Sequence, residues 1–554
     1  MAGQGGVASP HVRMETRADG SLLVWQDTPL APWPRTITER LMHWAQTRPD
    51  ATWLAERGAD GTSWQRLSYA QGARAIRAVG TALLDLGLSA DRPLLILSGN
   101  SVAHALMALG AQHAGLPSAA LAPAYALSGN DRAKLNAVVA QLTPGAVFAD
   151  HAARFLPAIS ATLGADVPLI CQTGGASDRR TISFDSLLAT EPSPALDAAH
   201  AAITGDTVAK FLFTSGTTGS PKAVIQTHGM LCSNQAMVAA AYGFTPDDPP
   251  VLVDWAPWNH TASGNKVFNM AHYNGGTYYI DEGRPTPDGI GRTIANLRDI
   301  APTWYFNVPV GFQFLLEVME RDDGLAAHFL SRLKLLMYAG AAMSQPLWDR
   351  VSALAARHGK PELPFISGLG ATETGPFAVY YADKRDRPGL IGIPAQGVTL
   401  KLVPQDGKLE ARVRSPSVTP GYWRNPALTA AAFDDEGFYR MGDALRFVEP
   451  GNPDAGFEFD GRLAENFKLA TGTWVAVGTL RAALVNDLGG LVSDAVIAGE
   501  LRDDLRALLV PNWDRLRGLA GVPGETPAAE VAAHPAVRAE LARRLTEHAR
   551  AASG

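Results

Sequence analysis

The chain has two cysteines in 554 residues, no long apolar run and little surplus of charge, and each shortage closes off a class of protein. Cys171 and Cys232 cannot make a disulfide framework for so long a chain. Each sits in an apolar stretch, as expected of a buried thiol in a reducing compartment. No apolar run reaches the roughly 18 residues that a membrane span needs. The opening MAGQGGVASPHVRMETRADG has no basic segment leading into an apolar one, so no secretory signal is expected. The default expectation is a cytoplasmic protein with no membrane partner. Lysine plus arginine number 48 against 54 acidic residues, a formal charge of −6, which argues against a nucleic-acid partner. No Walker A loop, G-x-S-x-G, H-E-x-x-H or paired C-x-x-C occurs, so P-loop, serine-hydrolase and zinc chemistry lack motif support.

What is present is an ordinary globular composition, 46% hydrophobic and 18% charged, with length for several structural units. The first half alternates strand and helix patterns. Leu94–Leu97, Ala146–Ala149, Val167–Cys171 and Phe211–Phe213 read as buried strands. So do Thr277–Ile280, Trp304–Phe306, Leu333–Tyr338 and Phe365–Ile366. Ala73, Ile76, Val79, Leu83 and Leu84 recur at helical spacing. This alternation predicts an α/β fold of helix-covered parallel sheets. Near residue 397 the period changes. Val398, Leu400 and Leu402, then Asp406-Gly407, then Leu409, Ala411 and Val413 predict a hairpin within a β-rich subdomain at about 390–460. Residues 531–552 read as one charged helix.

The most informative stretch is Phe211-Leu-Phe-Thr-Ser-Gly-Thr-Thr-Gly-Ser-Pro-Lys222. A strand runs into Thr214, Ser215, Gly216, Thr217, Thr218 and Gly219, and Lys222 follows. Glycines allow close backbone approach, hydroxyls donate to phosphate oxygens, and the lysine adds a mobile positive charge. A small, polar surface loop would look the same. The ordered string, however, resembles the signature loop of the AMP-forming acyl-adenylating superfamily, which includes acyl-CoA synthetases, adenylation domains and luciferases. Four more blocks resemble that superfamily in its order: Tyr338-Ala-Gly-Ala-Ala342, Gly368-Leu-Gly-Ala-Thr-Glu373, Tyr439-Arg-Met-Gly-Asp443, and Gly461-Arg462 with Lys468 and Gly472.

The resemblance implies a large adenylate-forming domain over 1–460, a hinge at 461–465 and a small, mobile α+β domain over 466–554. It implies ATP/AMP, Mg²⁺ and coenzyme A as cofactors and admits a homodimer. Gly340, Ala341, Ala342, Gly368, Leu369 and Gly370 would flank the adenine. Thr372 and Glu373 would serve the α-phosphate and the metal, and Asp443 and Arg462 the ribose. Chemically, a carboxylate accepts two ribose hydroxyls, a glutamate offers Mg²⁺ a hard oxygen, and an arginine gives a forked contact. Lys468 is equally well an exposed lysine or a phosphate contact.

For the acid, Asp254-Trp-Ala-Pro-Trp-Asn-His-Thr-Ala-Ser-Gly-Asn265 places His260 where coumarate–CoA ligases carry a gate beside the acyl pocket. A half-buried, satisfied histidine is the plainer alternative. That stretch, Asn274–Pro285, Tyr305–Pro309 and Glu465–Trp474 look similar to bacterial feruloyl-CoA synthases. An aromatic acid of the hydroxycinnamate class (ferulate, coumarate, caffeate) is therefore the expected substrate, and coenzyme A the acceptor. Trp258, Asn259, Ser263, Phe306 and Asn307 would line a flat pocket, or else form an aromatic-rich core.

Three departures stand out. Leu369 replaces the usual aromatic residue, and Ala464 replaces a charged hinge residue. No lysine follows Lys468, where the superfamily uses one to bridge carboxylate and α-phosphate. A shortened, adenylation-impaired C-terminal domain is the expectation, unless another cation substitutes. Delivery of the acyl group to a separate carrier protein and a catalytically silent nucleotide-binding module are the competing readings.

Overall fold

The computed structural model describes residues 11–127, 132–215, 220–243, 248–381, 387–405, 407–465, 467–471, 474–475 and 477–552. Leu94–Leu97 is apolar at every position because both of its faces are covered. It lies at the centre of a seven-stranded sheet ordered Pro221–Thr227, Val208–Ser215, Ser118–Ala120, Leu94–Leu97, Ala146–His151, Leu169–Thr173 and Thr181–Ser183. Every pairing in it is parallel except the hairpin of the first two strands. Helix Tyr69–Asp85 starts at a capping box in which Ser68 and Gln71 bond reciprocally, and it buries Ile76, Val79 and Leu83.

A second sheet joins Val251–Asp254, Thr277–Ile280 and Thr52–Arg57 in parallel, with Trp64–Ser68 antiparallel at its edge. A third is wholly parallel: Trp304–Asn307, Leu335–Tyr338 and Phe365–Ile366. The α/β expectation with parallel sheets and a β-rich region is met.

The β-rich part is larger than residues 390–460. The expected hairpin is present, Thr399–Gln405 against Lys408–Arg414, with Gly407 at φ +77° and Asp406 outside the described residues. It belongs to a nine-stranded antiparallel sheet that recruits Val12–Thr16 and Leu22–Gln26 at one edge. Gly368–Leu369 and Val379–Tyr380 close the other edge. Local alternation identifies a strand, but it does not say which distant strand will pair with it.

The C-terminal part contains the antiparallel pair Val492–Ala498 and Arg506–Pro511 and helix Val477–Asp487. Val475, Leu484, Leu488, Val492, Ala495 and Ile497 form its core. The single helix expected over 531–552 is two, Ala528–Ala533 and Pro535–Ala552. His534 is extended between them, and Pro535 starts the second, where its missing N–H costs nothing. Among the described residues, no helix is long and apolar enough to cross a membrane.

Candidate active site

A cleft of about 2260 Å³ opens beyond the carboxyl ends of the parallel strands Trp304–Asn307 and Leu335–Tyr338, the usual place for a ligand in a parallel sheet. Its walls also take in Asp443 from the antiparallel sheet and Arg481, Asn486 and Arg515 from the C-terminal part.

On the side of the expected nucleotide, Gly340, Ala341, Ala342, Gly368, Leu369, Gly370, Asp443 and Arg462 all line this cleft. A Cβ on Gly370 would lie 1.4 Å from the Pro376 carbonyl oxygen, so only glycine fits there. Leu369 presents an aliphatic side chain, as its departure from the superfamily pattern implies. Asp443 is buried, and its Oδ1 has no hydrogen-bond donor; the nearest cation is Arg462, with Nε at 3.4 Å. Desolvation pushes the carboxyl up to about 6, against the lowering influence of Arg462. A buried carboxylate oxygen without a donor, facing a cleft, is ready to accept a ligand hydroxyl.

The phosphate-side residues are arranged behind the cleft surface. Thr214 pairs with Lys222 in the hairpin register, and Lys222 Nζ lies 5.8 Å from the Tyr422 ring centre. Ser215 ends the strand Val208–Ser215, while Gly216, Thr217, Thr218, Gly219 and Gly472 lie outside the described residues. Thr372 and Glu373 begin a buried 3₁₀ turn. Gln226 Nε2 donates to the Thr372 carbonyl at 3.0 Å, and its Oε1 accepts from Asn265 Nδ2 at 2.8 Å. The Tyr422 hydroxyl donates to Glu373 Oε1 at 2.8 Å. Burial and the Glu373 charge push the Tyr422 and Tyr439 phenols up, so both stay protonated as donors. Mg²⁺ takes one or two carboxylates and fills its shell with phosphate oxygens and water, so Glu373 beside Thr372 fits that ion. Among the described residues no group of three or more His, Cys, Asp or Glu forms a cage for a metal.

On the side of the expected acid, His260, Asn259 and Phe306 line the cleft. His260 Nδ1 accepts the Ala262 N–H at 3.2 Å, and partial desolvation lowers its pKa, which favours the neutral ring. A π-helical turn, Ala262–Val267, follows. It is possible because residue 264 is glycine: a Cβ there would sit 2.0 Å from the Trp258 carbonyl oxygen.

Trp258, Ser263 and Asn307 do not reach the cleft. Trp258 Nε1 donates to Tyr278 at 2.9 Å, and Ser263 donates to Asp254 Oδ2 at 2.5 Å. Asn307 Oδ1 accepts from Trp255 Nε1 at 3.1 Å and from the Val308 N–H at 2.9 Å. Each is a buried polar group that must find a protein partner, so these residues brace the wall instead of forming it. Trp255, which composition gave no reason to separate from Trp258, forms the wall. Asp254, buried beneath, is pushed up to about 6 by desolvation. Tyr422, Gln226 and Lys266 were also not singled out by motif. For Lys266 the signal was there, a single charge between Asn265 and Val267-Phe268.

In the C-terminal part, Lys468 is exposed on the short strand Phe467–Lys468 and does not line the cleft. Ala464 lies in the turn Leu463–Glu465. The cations that this part brings to the cleft are Arg481, whose Nε donates to Asp494 at 2.6 Å, and Arg515.

Residues 41–423 match the sequence profile of the family described as AMP-binding enzyme. A stretch of 346 residues is 28% identical to the 3-hydroxybenzoate–CoA ligase of Aromatoleum sp. (strain CIB), covering 60% of this chain and 60% of that protein. Over 253 residues the chain is 28% identical to the feruloyl-CoA synthase of Amycolatopsis sp, covering 43% of this chain and 47% of that one. The match thus spans between 47% and 60% of these curated relatives' own lengths. The fold superposes on that of the anthranilate CoA ligase AuaEII in complex with anthranoyl-AMP, with a TM-score of 0.72, 18% identity and coverage of 94% of this chain and 92% of that one.

Proposed function

This chain belongs to the AMP-binding enzyme family, and from that premise we propose that it is an ATP-dependent acid–CoA ligase for aromatic acids. The reading is carried by one cleft that holds both the donorless Asp443 oxygen and the aromatic wall of Trp255 and Phe306. The substrate carboxylate attacks the α-phosphorus of ATP, and pyrophosphate leaves. The sulfur of coenzyme A then attacks the acyl carbon, and AMP leaves.

Asp443 accepts the ribose hydroxyls with Arg462 beside it, and the glycines at 340, 368 and 370 let the backbone close on the base. Glu373 would hold Mg²⁺, which would supply positive charge to screen the triphosphate. Thr214, Thr372 and Lys222 position phosphate oxygens, and His260 gates the acid. Residues 466–554 act as a small domain that turns about 461–465 between the two half-reactions. Within aromatic acids, the hydroxycinnamates are the favoured class. The motifs around His260 and the feruloyl-CoA synthase and hydroxybenzoate–CoA ligase among the relatives support that choice.

The cleft takes arginines, Arg481 and Arg515, from residues 477–552, and this favours one second reading, a form that forms the adenylate slowly but still uses it. The deciding experiment supplies ferulate, ATP, Mg²⁺ and coenzyme A, with octanoate as the control acid, and follows pyrophosphate and thioester. Ferulate-dependent release of both supports ligation at full competence. Thioester only from synthetic feruloyl-AMP supports the slow form. No reaction and no binding of feruloyl-AMP refutes the aromatic-acid reading.

A further inference from the structure

Lys266 lines the cleft yet is only 3% exposed. Its Nζ donates to Tyr242 Oη and to the Met337 sulfur, each at 2.8 Å. Aromatic rings surround it, with centres at 4.7 Å for Phe377, 5.1 Å for Tyr242 and 5.6 Å for Trp304. An ammonium has three N–H donors, and a thioether is a weak acceptor, so the head group is under-satisfied in a site where polar groups are costly to bury. Among the described residues no carboxylate lies within ion-pair distance of it. Packing alone would place a methionine or leucine here more cheaply. A buried, charge-bearing side chain that lines a ligand-sized cleft among aromatic rings is the mark of a group kept for a ligand.

Resting on the acid–CoA ligase reading, we propose that Lys266 is a specificity-determining residue that receives the ring hydroxyl of a 4-hydroxyaryl acid. Met337, which touches Lys266, and Gly340, on the nucleotide side of the cleft, are three residues apart. They are therefore separated by at most about 10 Å of extended chain. A flat nine-carbon acid with its carboxyl carbon near the nucleotide spans a comparable length to its ring oxygen. Val267, Phe306, Ala339 and Phe377 supply apolar surface for the ring between these ends. Both forms of the lysine suit a phenol, since the ammonium donates to the phenol oxygen and the free amine accepts the phenol hydrogen. Burial among the rings pulls the amine's pKa well below its ordinary value, so the second form is accessible. An acid without the hydroxyl leaves the head group as it stands, under-satisfied.

The test compares cinnamate with 4-hydroxycinnamate in the full-length protein and in its Lys266→Met variant, by kcat/KM for pyrophosphate release. The natural protein should favour the hydroxylated acid by roughly 10- to 100-fold, and Lys266→Met should bring that ratio close to one. A general loss of activity cancels in the ratio. If the variant turns over too slowly to measure, the ultraviolet absorbance of bound 4-hydroxycinnamate decides. Compared with the variant, a phenol that gives its hydrogen to the lysine amine should absorb at longer wavelength in the natural protein, and one that accepts from the ammonium at shorter wavelength. An unchanged ratio, or the same absorbance in both proteins, overturns the assignment while leaving the ligase reading intact. Failure of the natural protein to bind or activate either acid overturns both.

Discussion

Tyr422 donates its hydroxyl hydrogen to Glu373 Oε1 across 2.8 Å, and that bond ties the expected metal carboxylate to the phosphate-loop hairpin. Residues 419–423 are fastened along the strand that carries Lys222. The Ile225 N–H donates to the Gly421 carbonyl at 3.1 Å, and the Trp423 N–H donates to the Ala223 carbonyl at 2.9 Å. The buried carboxylate is thus held in register with the lysine by a phenol that no motif contains. Tyr422→Phe should raise the Mg²⁺ concentration needed for half-maximal pyrophosphate release several-fold. It should also lower stability by about 1 kcal/mol, the usual effect of losing one buried hydrogen bond. A Mg²⁺ titration indistinguishable from that of the natural protein would remove Tyr422 from any role in holding Glu373.

Asp443 gives a pH dependence with a definite sign. Its carboxyl ordinarily titrates near 3.8 and is pushed up to about 6 in the folded protein. Its contribution to the stability of the unliganded protein is therefore fully present below about 3.8 and lost as pH rises through about 6. Ribose binding runs the other way, because only the ionised group accepts two hydroxyls. Adenosine affinity should strengthen as pH rises from 5 to 7, with a midpoint near 6. Adenosine is the probe because it has no phosphate of its own to titrate in that range. Calorimetric titration of Asp443→Asn should show a flat profile; a slope that survives in that variant assigns the proton to another group.

Strands that are buried on both faces were legible, since Leu94–Leu97 and Leu335–Tyr338 are apolar runs buried at every position. The adenine-side loops were legible for a different reason: glycine at 370 is forced by the backbone of Pro376 and survives as a motif. What was not legible depends on long-range pairing. Nothing near Leu22–Gln26 says that its partner lies at Thr399–Gln405. The wall of the acid pocket failed for a related reason. Trp255 and Trp258 are three apart in one stretch, and long-range partners turn Trp258 into the core: its Nε1 donates to Tyr278, and its ring packs on His104 and Phe268. Asn307 was read as a pocket residue, but it spends its side chain on Trp255, Tyr305 and Val308.

The π-helical turn beside His260 depends on Gly264. In Gly264→Ala the new methyl meets the Trp258 carbonyl oxygen at 2.0 Å, and the obstacle is backbone, which cannot rotate away. The variant should lose roughly 1–3 kcal/mol of stability by overpacking. Because the displaced segment borders the cleft at His260, where the proposed acid would sit, KM for the acid should rise while adenosine affinity is retained. Equal KM values with lowered thermal stability would leave the turn a purely structural feature.

Arg515 is one of two cations from residues 477–552 that line the cleft. Arg481 also lines the cleft, but it is engaged with Asp494 through Nε at 2.6 Å and Nη2 at 2.5 Å. The Arg515 guanidinium lies in the wall with no carboxylate within ion-pair distance among the described residues. Bringing a carboxylate against a triphosphate needs fixed positive charge where negative charge gathers. Removing one such group typically costs about 100-fold in rate. Arg515→Ala should therefore slow pyrophosphate release on that scale, while thioester formation from synthetic feruloyl-AMP and coenzyme A falls far less. Single-turnover measurements of the two halves separate these effects. Equal losses in both halves would make Arg515 a general binding residue. An undiminished first half would mean that adenylation here draws its cation from Lys222 and the metal alone.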